Sequence, residues 1–245
     1  RIFLECDPRL APLFTRSFPN IHVHGKEKDP DFSWVGKHTH LDYSLPIGSL
    51  PKFFRNSVED FPRRDSYLSP NPELVKKWTQ RLTNLGDNLK IGISWRGGVD
   101  ANTIKTHSLP LSDWQPLLSM NASFINLQYG DTVEELARIN TEQNVMIHDW
   151  EDNDPIKDLD NQAALISALD LIITIDNSTI HMAGALGVPT WGMIAYVSDW
   201  RWAIIFCDSP PLYKSVRLFR QPQLLDWDSV IKDVKKALEE LIDNK

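Results

Sequence analysis

Short apolar runs alternate with helical patterns along most of the chain, and this alternation predicts its fold. The strongest run is Leu171–Ile175, which is followed by a polar turn and a helix of small residues. Strands separated by helical stretches of this length are typical of βαβ units in a parallel, doubly wound α/β sheet. The other predicted strands are Ile2–Glu5, Ile21–His24, Lys90–Trp95, Ser123–Gln128, Val145–His148 and Val188–Met193.

Helical periodicity fills the intervals between these strands. Asp7 is a predicted N-cap with Pro8 at the first helical position. Leu74, Trp78 and Leu82 are spaced by four and predict an amphipathic helix. The predicted helices after the first are 73–83, 111–117, 133–139, 162–169, 179–186 and 228–243.

The chain divides into parts of different pattern. Between Lys26 and Pro72 the periodicity weakens and prolines divide the segment into loops and short helices. We therefore predict a partial N-terminal α/β domain over 1–72, a linker helix over 73–87 and a C-terminal Rossmann-like domain over 88–245. Because the chain opens directly on a strand-like run, we expect that natural residues precede Arg1.

Composition and charge narrow the class of protein. The chain has 245 residues, of which 42% are hydrophobic, and a net charge of -7, so an extended nucleic-acid surface is not expected. No run approaches the length of a transmembrane helix, and no signal peptide is visible. Cys6 and Cys207 have no zinc or redox spacing, which favours two free thiols and a cytoplasmic location.

Several familiar site patterns are missing or incomplete. There is neither a Walker A motif nor a G-x-G-x-x-G after a strand, which argues against an NAD enzyme or a kinase-type ATPase. The pairs His22/His24 and His38/His40 lack a third zinc ligand at a matching spacing. The acidic stretch 149–160 lacks calcium-loop spacing and is better interpreted as a solvated loop. No metal site is predicted.

The segment that follows Leu171–Ile175 carries the strongest chemical signal. Asp176, Asn177, Ser178 and Thr179 form a polar turn at the start of a helix, and His181 lies on the first helical turn. Unpaired N–H groups and the helix dipole at such a place suit a phosphate or diphosphate. The alternative is that Asp176 and Ser178 merely cap the helix.

Two further segments end predicted strands at the same edge of the sheet. Trp95 precedes Arg96-Gly97-Gly98, where glycines allow close approach to a ligand, and Lys105 follows. Gln128 ends the next strand, and Glu134 lies on the helix after it. Lys105 and Glu134 are alternatively solvated surface charges.

These segments together resemble glycosyltransferase family 9, the ADP-heptose transferase family. The match to its D-[ST]-G/S-x-x-H-x-A-x-A-L-G-x-P signature departs at Asn177, where the family usually has Thr or Ser. The segments around Asp42, Trp200-Arg201-Trp202 and Arg217–Gln221 resemble the bacterial subgroup associated with tetratricopeptide repeats. The matching positions of the signature are Asp176, Ser178, His181, Ala183, Ala185, Leu186, Gly187 and Pro189.

The resemblance implies a GT-B fold with two Rossmann-like domains, the first incomplete. It implies transfer of a sugar from a nucleotide diphosphate sugar to a hydroxyl of a glycan, lipid or protein, without a cofactor or metal. Lys105 would contact the donor phosphate and Glu134 the ribose, while the general base would lie upstream of Arg1. The resemblance also places Trp95, Gln128, the turn 176–179 and His181 at the donor site. The alternatives are a non-catalytic nucleotide-sugar-binding module and a GT-B epimerase.

Overall fold

The protein is described by a computed structural model that covers residues 1–26, 28, 33–36, 40–98, 101–202 and 212–244. Its strands are β1 (Phe3–Cys6), β2 (His22–Gly25), β3 (Leu89–Ser94), β4 (Ala122–Asn126), β5 (Ile147–His148), β6 (Leu171–Ile175), β7 (Thr190–Ile194) and β8 (Val216–Arg220). Its α-helices are α1 (Ala11–Ser17), α2 (Pro51–Phe54), α3 (Pro72–Thr83), α4 (Ala101–His107), α5 (Gln115–Leu118), α6 (Val133–Gln143), α7 (Leu159–Ser167), α8 (Ser178–Leu186) and α9 (Trp227–Asp243). Short 3-10 turns lie at Ser33–Val35, Ile47–Ser49, Val58–Asp60 and Leu111–Trp114.

A six-stranded parallel sheet forms the larger part of the fold. The strand order is β5-β4-β3-β6-β7-β8, so the chain runs outward in one direction from β3 and in the other from β6. This order is that of a doubly wound Rossmann sheet, in which the topological switch lies between the two central strands. The predicted parallel α/β sheet is therefore confirmed, and the switch point lies between β3 and β6.

Two elements were not predicted from the sequence. β8 alternates buried Val216 and Leu218 with the exposed Arg217, as expected for an edge strand. α4 has no apolar stripe in its sequence, so its periodicity gives no signal. The first helix begins at Ala11 rather than at Pro8, because the Asp7 carboxylate accepts the N–H of Arg9 and closes a turn over the intervening residues.

Apolar side chains cover both faces of the sheet. On one face, α9 packs against α5 and β8 and contributes Val230, Val234 and Leu238 to a core that also contains Ile91 and Ile93 of β3. On the other face, α3 buries Trp78 and Leu82 against α7 and the sheet. The predicted linker helix is therefore packed along its length against the six-stranded unit.

The unit formed by β1, α1 and β2 is a separate two-stranded parallel sheet with one helix. Leu13 of α1 is fully buried in a core that also contains Ile180 of α8. The Arg16 guanidinium binds the Asp160 carboxylate at the start of α7, and Arg9 donates to the carbonyl of Ile156 over 2.8 Å. These contacts fix α1 beside the carboxyl edge of the larger sheet. A full GT-B pair of domains and the predicted boundaries at 72 and 87 stay predictions.

Candidate functional site

The switch point brings together two loops that are far apart in sequence. The loop after β3 begins at Trp95, and the loop after β6 contains Asp176 and Asn177. A Cβ at Gly97 would lie 2.8 Å from the carbonyl oxygen of Asp176, so the loops pack too closely for a side chain there. At Gly98 the backbone has a φ of +90°, which also favours glycine.

Asn177 joins these two loops through both ends of its side chain. Its Nδ2 donates to Ser94 Oγ over 2.8 Å and to the carbonyl of Arg96 over 3.0 Å. Its Oδ1 accepts the N–H of Thr179 over 2.9 Å and the Thr174 hydroxyl over 3.2 Å. Asn177 is thus the N-cap of α8, and the alternative that Asp176 or Ser178 is the cap is wrong.

The first turn of α8 faces a cavity of about 330 Å³. Ser178, Thr179 and His181 line it, as does Tyr129 from the loop after β4. Backbone N–H groups at a helix N-terminus lack intrahelical partners and favour an anion. The rest of the wall is mostly apolar and is formed by Leu10, Phe14, Tyr67, Leu68, Leu127, Pro155, Leu159, Gln162, Ile166, Met182, Ala185 and Tyr213.

His181 is held in one orientation by two aromatic residues. Its ring stacks on Trp202, with centroids 5.0 Å apart, and its Nδ1 lies 3.0 Å from the Tyr213 hydroxyl. Burial and, to a smaller extent, the charge of Arg201 lower the pKa of His181 to about 4, while the charge of Asp199 opposes the shift. The imidazole is therefore neutral near pH 7.

Asp176 lies in a second group of polar residues at the same edge. Burial raises the pKa of its carboxyl, and Asp199 adds to the shift, while Trp202, His107 and Arg201 oppose it. Asp199 pairs with Arg201 over 2.8 Å. Side chains of α4 and of the loop after β7 therefore influence the Asp176 carboxyl.

The tryptophans of the segment 200–202 have different environments. Trp202 is 1% exposed and packs in the core, whereas Trp200 is 56% exposed and lies beneath the Arg201 guanidinium at 4.9 Å. Trp202 is thus a packing residue. Of these two tryptophans, Trp200 is the one whose side chain is exposed enough to contact a ligand.

The folding stability should fall between pH 6.5 and pH 4 because of His181. In the unfolded chain this group takes up a proton near its usual pKa of 6.5, whereas the folded state resists protonation until its lowered pKa of about 4. The stability contributed by the neutral ring is lost as the pH falls, by up to about 3 kcal/mol. Urea unfolding at several pH values should show this loss, and His181→Asn should reduce it. If the free energy of unfolding depends on pH equally in the unaltered chain and in His181→Asn, His181 is not the cause of the loss.

Two predicted site residues, Trp95 and Gln128, are buried and make hydrogen bonds that support the loops. Gln128 is 2% exposed, and its Oε1 accepts from Ser94 Oγ and from the N–H groups of Trp95 and Arg96. Trp95 is fully buried, and its indole Nε1 donates to Glu135 over 3.3 Å. The Trp95 side chain fills the core, and donor binding by Trp95 and Gln128 stays a prediction.

Two other predicted residues are exposed. Lys105 lies on the surface of α4, whose last residue, His107, is the one near Asp176. Glu134 is exposed on the first turn of α6, whereas its neighbour Glu135 pairs with Arg96 over 3.1 Å. The structure therefore joins α6 to the switch-point loop through Glu135 rather than Glu134. Donor contacts by Lys105 and Glu134 stay predictions.

Other candidate ligands have structural partners. His22 stacks on Phe3 and His24 stacks on Trp34, while His38 lies outside the described residues. Within the described parts of the chain, no group of three or more potential metal ligands is found.

The acidic stretch 149–160 is used for ion pairs and caps. Asp152 pairs with Lys77 and Arg81 of α3, and Asp158 caps α7. Cys6 is half-buried and unpaired, while Cys207 lies outside the described residues. In the described ranges no helix combines the length and the apolar character that a membrane crossing needs.

The chain is similar in structure to two solved glycosyltransferases. No protein-family model matches the chain. In structure it resembles ADP-heptose LPS heptosyltransferase II of E. coli, with a TM-score of 0.52 and 18% identity over 78% of this chain and 58% of that one. It also resembles a glycosyl transferase of family 9 from Veillonella parvula, with a TM-score of 0.53 and 13% identity over 73% of this chain and 54% of that one. The chain therefore has the parallel α/β fold found in family 9 glycosyltransferases.

One curated relative is similar over nearly the whole chain. Protein FlbA of Caulobacter vibrioides is 34% identical over 244 residues, which cover 96% of this chain. The chain spans only 40% of the length of FlbA.

Proposed function

We propose that the chain is the donor-binding part of a glycosyltransferase that moves a sugar from a nucleotide diphosphate sugar to a hydroxyl acceptor. The observation that carries this proposal is the switch point, where Asn177 joins two loops and the first turn of α8 faces the cavity. Ligands of doubly wound sheets bind at this place. The proposed acceptor is a hydroxyl group of a glycan, a lipid or a protein. The same proposal includes an association of this chain with tetratricopeptide repeats, as in the subgroup that its sequence resembles.

The proposed chemistry is displacement at the anomeric carbon. The acceptor hydroxyl gives up its proton to a general base, its oxygen forms the new bond, and the nucleoside diphosphate leaves with the electron pair of the broken bond. The N–H groups of the first turn of α8, other than that of Thr179, which Asn177 accepts, would stabilise the charge on this leaving group. Lys105 would add a positive charge beside them. We assign no general base within this chain.

The first test is calorimetric titration of the chain with ADP, GDP, UDP and CDP. We expect one of the four to bind selectively, because the cavity beside Ser178 and Thr179 holds both polar and apolar walls. Lys105→Ala should weaken that binding about 10- to 100-fold, which is the range for a hydrogen bond to a charged group. Lys236→Ala, which changes an exposed lysine on α9, is the matched control and should bind as the unaltered chain does.

The outcomes separate the proposed activity from its alternatives. Binding that Lys105→Ala does not weaken would remove Lys105 from the site. Failure of all four nucleotides to bind a folded chain would overturn the donor site. Exchange of label at the donor sugar without an acceptor would favour an epimerase. Binding without transfer or exchange by the full-length natural protein would favour a non-catalytic module.

A further inference from the structure

The pair formed by His181 and Tyr213 is not explained by the sequence motif. Tyr213 follows His181 by 32 residues and reaches it from the segment between β7 and β8. A Cβ at Gly184 would lie 2.5 Å from Cγ of Tyr213, so the tyrosine ring rests directly on the backbone of α8. Glycine at this position allows the hydroxyl to reach Nδ1 of His181.

The Tyr213 side chain is held in place by burial and by ring stacking. Tyr213 is 7% exposed, and its ring stacks with that of Tyr67, with centroids 6.4 Å apart. Burial raises the pKa of Tyr213 well above its usual value, so its hydroxyl keeps its proton. The phenolic O–H of Tyr213 is both a donor and an acceptor, and the Tyr67 side chain is a second hydrogen-bond partner of Tyr213. Donation from Tyr213 to Nδ1 is the favoured direction, because an imidazole nitrogen is a much stronger acceptor than a phenolic oxygen.

A neutral histidine carries its proton on one ring nitrogen, and the bond made by the other nitrogen decides which. If Tyr213 donates to Nδ1, the proton of His181 must be on Nε2. Among the described residues no partner of Nε2 is found, and His181 lines the cavity at the first turn of α8. An Nε2–H group there adds one donor for an oxygen atom of a ligand.

We propose that Tyr213 is a positioning residue that fixes His181 as the Nε2–H tautomer, so that His181 donates a hydrogen bond to the diphosphate of the donor. The tautomer follows from contacts within the chain, whereas the ligand contact rests on the proposed function. The two steps therefore have separate tests.

The first test is a two-bond proton–nitrogen correlation spectrum of the chain without ligand at pH 7. His181→Asn identifies the His181 signals, and this change keeps an amide near the position of Nδ1. We expect the Nε2–H pattern in the unaltered chain and a mixture of both tautomers in Tyr213→Phe. Tyr43→Phe, which changes a tyrosine that is 90% exposed, should leave the spectrum unchanged. An Nδ1–H pattern, or a tautomer that Tyr213→Phe does not alter, would overturn the proposal.

The second test is the affinity for the nucleotide selected by calorimetry. His181→Asn should weaken it about tenfold and Tyr213→Phe about fivefold, as for the loss of one hydrogen bond. The double variant should be no weaker than His181→Asn alone, because Tyr213 acts through His181. Additive losses would overturn the positioning role. Absence of nucleotide binding, with the expected tautomer present, would reject the ligand contact and the donor site but not the role of Tyr213 in fixing the ring.

Discussion

Replacing Asn177 with alanine is expected to abolish measurable nucleotide binding and to lower the free energy of unfolding by about 2–4 kcal/mol. The change removes the N-cap of α8, the hydrogen bond to Ser94 at the end of β3 and the hydrogen bond to Arg96 in the loop after it. It also leaves the carbonyl of Arg96 and the Ser94 hydroxyl without these donors. The loops would then separate at the point where the ligand is proposed to bind. Calorimetry with the selected nucleotide and urea unfolding measure the two effects.

Asn71 provides a matched control for this change. It is the N-cap of α3 and accepts from Glu73 and Leu74, but it joins no second loop. Asn71→Ala should therefore cost only about 1 kcal/mol and leave nucleotide binding intact. Asn177→Asp keeps the cap of α8 but places a carboxylate oxygen against the Arg96 carbonyl. This variant should therefore fold but bind the nucleotide poorly. Equal effects of Asn71→Ala and Asn177→Ala would show that Asn177 is only a cap.

Trp78→Ala is expected to destabilise the fold by about 3–5 kcal/mol. Trp78 is fully buried, and its indole donates to Asn161 of α7 over 3.0 Å. Its ring also packs against Trp150 and lies beneath the Arg81 guanidinium at 4.7 Å. Truncation would leave a cavity between α3 and α7 and would remove the indole donor from Asn161 Oδ1. Thermal and urea unfolding measure this loss.

Two other substitutions separate the contributions at this site. Trp78→Phe keeps most of the packing but loses the hydrogen bond to Asn161, so it should cost about 1–3 kcal/mol. Trp200→Ala changes an exposed tryptophan and should alter stability by less than about 0.5 kcal/mol. A Trp78→Ala protein as stable as Trp200→Ala would mean that α3 does not hold the six-stranded unit together.

The strands of the central sheet were predictable because they are buried on both faces. β6 is a continuous apolar run bounded by polar residues, and its predicted limits are those observed. β8 lies at the edge of the sheet, where alternation with exposed arginine weakens the apolar signal. α4 has no apolar face that a periodicity could detect.

The place of the candidate site was predictable, but its internal contacts were not. The polar turn after β6 had to lie at the carboxyl edge of a parallel sheet. The bonds from Asn177 to Ser94 and Arg96 join residues 83 and 81 positions apart, and residue spacing carries no information about such pairs. For the same reason the sequence suggested Glu134, although the packing of α6 brings Glu135 to Arg96.

The wall of the cavity at α8 is shared between two segments of the chain. Leu10 and Phe14 belong to the unit of α1, whereas Ser178 and Thr179 belong to the six-stranded unit. A ligand that fills this space binds only the arrangement in which α1 is docked, so binding and docking are thermodynamically linked. At a concentration 100 times its Kd, such a ligand would stabilise the docked arrangement by about 2.7 kcal/mol. Ligand binding would then slow hydrogen exchange at the backbone amides of α1, although the polar groups of the cavity, Ser178 and Thr179, lie on α8.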